Sequence, residues 1–78
     1  MSPTATPVGL GVVGAGRFAA FLMDAAQDLP GVQLRHVADL SLESAQALAG
    51  PHQAKASDQW RDVLNDDGVD AIVVATPR

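Results

Sequence analysis

The chain has 78 residues, with 9 acidic residues against 5 Lys/Arg, a formal net charge of -4 and no cysteine. That length holds one small domain at most, and the missing cysteines exclude disulfides and thiolate metal sites. The basic residues Arg17, Arg35, Lys55, Arg61 and Arg78 are scattered, so no clustered basic face is available for nucleic acid.

A hydrophobic fraction of 47% marks a chain that folds rather than a disordered one. Domains this short bury only about 60% of their unfolded surface. The usual remedy is a covalent staple or a partner, so the composition points to a part of something larger. No apolar run approaches the ~20 residues of a membrane span. Met1 to Pro7 has no basic residue and no apolar core, so it is not a secretory signal. Residues 1–7 are expected to form a flexible leader, residues 8–78 an incomplete domain, and the cytoplasm is the expected compartment.

Val8 to Val13 is a short, Val-rich run that suits a strand buried on both faces. Gly14-Ala15-Gly16 breaks it. From Arg17 the period becomes helical, with Phe18, Phe21, Leu22, Ala25 and Leu29 predicted as the buried face and Pro30-Gly31 as the stop. Val32 to Ala38 reads as the second strand, ending at Asp39. Ser41 is the predicted N-cap of a helix through Ala49, with Leu42, Ala45, Leu48 and Ala49 inward. Gln53 to Ala56 is a weak third strand. A third helix capped by Ser57 or Asp58 is expected to bury Trp60, Val63 and Leu64. Asp70 to Thr76 reads as the last strand. Strands alternating with helices imply right-handed crossovers and a parallel sheet. The expected fold class is therefore α/β, a partial doubly wound Rossmann-like domain with about four strands and three helices.

Gly14-Ala15-Gly16-Arg17-Phe18-Ala19 fits G-x-G-x-x-G/A between a predicted strand and a predicted helix, the context this motif needs. Gly14 permits the tight turn, Gly16 lets a pyrophosphate approach the backbone, and Ala19 keeps the helix close to the sheet. The N–H groups of the first helical turn then face the anion, with Arg17 able to cover it. Asp39 lies about 20 residues beyond Gly16, where the fingerprint expects an acid on the adenosine ribose. Leu40 and Ser41 follow it instead of an Arg, which favours NAD over NADP. Asp39 could equally cap the next helix. Thr76 and Pro77 follow the fourth strand at the expected switch point and are candidates for the ribose or nicotinamide end.

Other nucleotide sites fit worse. A P-loop signature is absent. Methyltransferases that bind S-adenosylmethionine usually carry an acid before the first glycine and a third glycine, where this chain has Val13 and Phe18. His36 and His52 have no paired acid in the sequence. Asp62, Asp66, Asp67 and Asp70 read as solvated turn and helix-end residues, and Trp60 with Val63 and Leu64 as a core stripe rather than a base-stacking platform. No catalytic residue and no metal site is expected.

Together, VGLGVVGAGRFA, VADLSLESAQALA and WRDVLNDDGVDAIVVATP resemble the amino-terminal part of the Gfo/Idh/MocA oxidoreductases, from Val8 to Pro77. The resemblance implies a Rossmann domain followed by an α/β domain with an open sheet. It implies hydride transfer between NAD(P) and a sugar, cyclitol or similar hydroxyl-bearing compound. It assigns Gly14, Gly16 and Ala19 to the pyrophosphate turn, Asp39 to the ribose, and Thr76-Pro77 to the loop after the fourth strand. It also implies a lysine in an E-K-P motif and a histidine in the second domain, both beyond Arg78. The expectation is thus the cofactor-binding part of an oxidoreductase, truncated before its catalytic segment and inactive alone. Its small-molecule substrate is met only in a longer parent. The alternative is a stand-alone, non-catalytic nucleotide-binding or interaction module. An open edge on the last strand would favour self-association.

Overall fold

A computed structural model describes residues 7–26 and 29–75. In chain order it contains β1 (Val8–Val13), α1 (Arg17–Ala26), β2 (Val32–Ala38) and α2 (Leu42–Ala49). A 3-10 turn (Gly50–His52) leads to β3 (Lys55–Ser57), α3 (Trp60–Leu64) and β4 (Ala71–Val74). The strands form one parallel sheet in the order β3-β2-β1-β4. The chain steps one way from β1 to β3 and then reverses to reach β4. Right-handed crossovers therefore lay α1 and α2 on one face and α3 on the other. This is the α/β Rossmann-like architecture.

The main core lies under α1 and α2. Val12, Leu34 and Val37 of the sheet meet Ala19 and Met23 of α1 and Ala45 and Ala49 of α2. The face of α1 is rotated from the expected one. Phe18, Phe21 and Leu29 are exposed, while Ala19 and Met23 are buried and Leu22 and Ala26 half-buried. Residues 19, 22, 23 and 26 also follow helical spacing, and their smaller side chains let the helix approach the sheet. α1 is described from Arg17 to Ala26; residues 27 and 28, ahead of the predicted stop at Pro30-Gly31, lie outside the described residues.

On the opposite face α3 buries only Val63. Trp60 and Leu64, expected in the core, are 51% and 54% exposed. Of these three residues on one helical face, only Val63 reaches the sheet. It sits against Gly11, where any Cβ would collide with the Val63 and Val69 side chains. A strand glycine here is thus what lets α3 pack closely.

One irregularity decides which side chains share a face. Leu10 pairs with Leu34, but Gly11 pairs with His36, so Arg35 is an extra residue in β2. Side chains alternate along a strand, and an inserted residue reverses the alternation beyond it. Val37 thereby joins Val12 in the main core, while His36 and Ala38 turn to the α3 face. β3 begins two residues later than expected, after Gln53 closes the 3-10 turn at φ 57. α2 matches expectation: Ser41 is its N-cap, with the Ser44 N–H donating to the Ser41 hydroxyl at 3.2 Å. β4 is an edge strand whose Ile72 and Val74 remain exposed. Among the described residues, no helix is long and apolar enough to cross a membrane.

Candidate functional site

The carboxyl ends of β1 and β2 lie side by side, and the loops leaving them build one cleft. Gly14 extends the β1–β2 pairing by donating its N–H to the Ala38 carbonyl at 2.7 Å. It then turns the chain with φ 103, a conformation open to glycine and costly for other residues. Gly16 accepts the first helical hydrogen bond, from the Ala20 N–H at 3.1 Å. The N–H groups of Arg17, Phe18 and Ala19 precede that bond and have no partner within the helix. Arg17 and Phe18 project outward, exposed at the start of α1. A Cβ built on Gly16 meets nothing within 4 Å. The space above this backbone is therefore open, as close approach of a phosphate requires.

Asp39 leaves β2 beside this turn. Its Oδ2 accepts the Ala15 N–H at 2.7 Å and its Oδ1 accepts the Ser41 N–H at 2.8 Å. The Asp39 N–H donates to the Ser57 carbonyl at 3.1 Å, fixing the residue from the β3 side. Asp39 is not the cap of α2, since Ser41 fills that role. A carboxylate offers about four acceptor positions, of which the two N–H groups use two. The remainder are available to a diol. Val13, Gly14, Ala38, Asp39, Leu40, Asp58 and Trp60 line the cleft, whose volume is about 470 Å³. The turn, the open glycine and the half-buried acid fit the adenosine and pyrophosphate of a dinucleotide.

The structure thus brings Gly14, Ala15, Gly16, Arg17, Phe18 and Asp39 to one end of the sheet. Thr76 and Pro77 lie outside the described residues; Ala75 before them donates its N–H to the Val13 carbonyl at 2.8 Å. Trp60, Leu40 and Asp58 were not expected here. Trp60 opens the helix after β3 at the carboxyl edge of a parallel sheet, and that position was the available signal.

A second polar cluster corrects three sequence expectations. His36 is buried and does have an acid partner: its Nδ1 lies 2.7 Å from Asp66 Oδ2, and its Nε2 lies 3.2 Å from the Ser57 hydroxyl. Asp66 is not a solvated turn residue. It is 10% exposed, accepts the Gly68 N–H at 2.8 Å on Oδ1, and has Lys55 Nζ at 3.6 Å. The Gly68 N–H, and then His36, hold the Asp66 carboxyl below its ordinary pKa; partial desolvation opposes them, and the charges of Lys55 and His36 add smaller lowering effects. Asp70 is not merely solvated either: it accepts the Gly9 N–H at 2.8 Å and ties the entry of β4 to β1.

Comparisons with known proteins bear on the family and the fold. Residues 8–78 match the Gfo/Idh/MocA model, described as an oxidoreductase family with an NAD-binding Rossmann fold. An uncharacterized oxidoreductase of Bacillus subtilis (strain 168), YrbE, is 26% identical over 68 residues, covering 86% of this chain and 20% of its own length. GenD2 from gentamicin A biosynthesis, solved in complex with NAD, is 32% identical with a TM-score of 0.87 over 97% of this chain and 22% of that one. The WlbA dehydrogenase from Bordetella pertussis, in complex with NADH and UDP-GlcNAcA, is 30% identical with a TM-score of 0.79 over 91% of this chain and 22% of that one. KijD10, a 3-ketoreductase from Actinomadura kijaniata in complex with TDP-benzene and NADP, shares the fold with a TM-score of 0.83 at 22% identity, over 91% of this chain and 23% of that one. The chain spans about a fifth of the length of these relatives. By its motif, its sheet order and this match over residues 8–78, the chain belongs to the Gfo/Idh/MocA oxidoreductase family and forms an NAD-binding Rossmann domain of it.

Proposed function

We propose that the chain holds the adenosine and pyrophosphate of NAD for an oxidoreductase acting on a sugar, cyclitol or similar hydroxyl-bearing substrate. The observation that carries this reading is Asp39. Its carboxylate is tied to the glycine turn through Ala15 and faces a cleft beside the open backbone of Gly16. In this reading Gly14 and Ala15 shape the turn, and the first N–H groups of α1 receive the pyrophosphate. Arg17 screens its charge, and Phe18 shields it from water. Asp39 accepts from the ribose hydroxyls, and Thr76 and Pro77 border the nicotinamide end. The nicotinamide, when bound, supplies the hydride donor or acceptor. The chain's part is placement, because hydride transfer needs cofactor and substrate held in near-attack geometry. No catalytic residue is assigned to it, and we expect no turnover from these residues alone.

NAD is preferred over NADP in this reading. Asp39 and Asp58 both line the cleft, and their negative charges oppose a ribose 2′-phosphate. The sugar or cyclitol class rests on the family resemblance and on the UDP-sugar held by the WlbA dehydrogenase. Calorimetric titration of the chain with NADH and NADPH tests the proposal. NADH should bind at least tenfold more tightly than NADPH, and Asp39→Ala should weaken NADH binding by about 1.5–3 kcal/mol, the range for hydrogen bonds to a charged group. Equal binding of both cofactors, unaffected by Asp39→Ala, would remove Asp39 from the site. A folded chain that binds neither would leave the alternative of a non-catalytic interaction module.

A further inference from the structure

Trp60 and Leu40 are large apolar side chains that contribute little to the core. Leu40 is 96% exposed and Trp60 51% exposed, yet both line the cleft that has Asp39 in its wall. The helix that carries the indole is anchored. Val63, one turn further along α3, is fully buried against β1. The Arg61 guanidinium lies 5.4 Å from the centroid of the Trp60 ring, a cation–π distance. An aromatic ring lining the same cleft as a ribose-type acid suits a planar base attached to that ribose.

We infer that Trp60 is the base-stacking wall of this cleft, taking the adenine ring of the dinucleotide with Leu40 on its exposed rim. The inference rests on the cofactor reading above and adds a recognition residue to it. Stacking on an aromatic ring is worth enough to see by truncation, at about tenfold in affinity. Trp60 is also the only tryptophan in the chain, so its emission reports on this cleft alone.

The test is fluorescence and calorimetry on the whole chain, titrated with NADH, ADP-ribose and nicotinamide mononucleotide. NADH and ADP-ribose should quench Trp60 emission, and NADH should also take up its excitation energy. Nicotinamide mononucleotide, which lacks adenine, should do neither. Trp60→Ala should weaken ADP-ribose about tenfold, and Trp60→Phe should retain most of the affinity. The quenching needs no variant, so it stands even if Trp60→Ala does not fold. Unchanged emission with saturating ADP-ribose, or full affinity in a folded Trp60→Ala chain, would overturn the role of Trp60 and leave the Asp39 reading intact. Failure of the unaltered chain to bind ADP-ribose or NADH would overturn both.

Discussion

Asp39 and Asp66 are both aspartates at the end of a secondary element, and both accept a backbone N–H two residues onward. Their second interactions separate them. Asp39 reaches across to the Ala15 N–H at the lip of a cleft and keeps acceptor capacity toward it. Asp66 borders a concavity of about 580 Å³ as well, but there His36, Lys55 and Gly68 engage both of its oxygens. We propose the first for a ligand, and the second joins β2, β3 and the α3–β4 turn. Hydrogen bonding to backbone therefore does not distinguish a binding aspartate from a structural one. The second partner does: the N–H of the glycine turn for Asp39, a buried imidazole for Asp66.

The sharpest way to separate the pair is to remove each in turn. Asp66→Ala leaves the Gly68 N–H and the buried His36 without their acceptor, and should cost about 1–3 kcal/mol of folding stability. Urea denaturation would measure it, and NADH affinity should change little. The same carboxylate sets a pH dependence. Its folded pKa lies below the ordinary value, so its stabilisation is present above the unfolded pKa near 4 and is lost as pH falls through the lower folded value. Acid unfolding followed by circular dichroism should therefore be steeper in the unaltered chain than in Asp66→Asn.

The contrast also shows what could be read from sequence. Local order was legible. The Val-rich run of β1, the Gly14–Ala19 turn, Asp39 at the end of β2 and the Ser41 cap are all short-range features with fixed offsets. The His36–Asp66 pair was not, for two reasons. The partners are 30 residues apart, and the extra residue at Arg35 reverses the alternation that would place His36. The face of α1 is ambiguous in the sequence because two registers of the same helix satisfy the helical period. The larger Phe residues suggested one, while close packing on the sheet selected Ala19 and Met23. Trp60 shares helical spacing with Val63 and Leu64, which predicts a core position, but of the three only Val63 is buried.

A smaller change should act on the ligand side alone. A Cβ on Gly16 has free space in the protein, so Gly16→Ala should leave stability within about 0.5 kcal/mol. The same methyl occupies the phosphate approach and should weaken NADH roughly tenfold; parallel thermal melts and titrations would show both. The mildest effect concerns neither aspartate. Ile72 and Val74 are exposed on the edge strand β4, and such edges invite pairing between chains. Sedimentation should show concentration-dependent association that Val74→Lys reduces, without altering either carboxylate's role.

The central claim is that Asp39 faces the cofactor while Asp66 does not. Amide chemical shifts during an NADH titration test it most directly. The account predicts that the Ala15, Gly16 and Ser41 amides move together to saturation while the Gly68 amide stays fixed. Shifts at Gly68 comparable to those at Ala15, or saturation of NADH with the Ala15 and Ser41 amides unmoved, would contradict it.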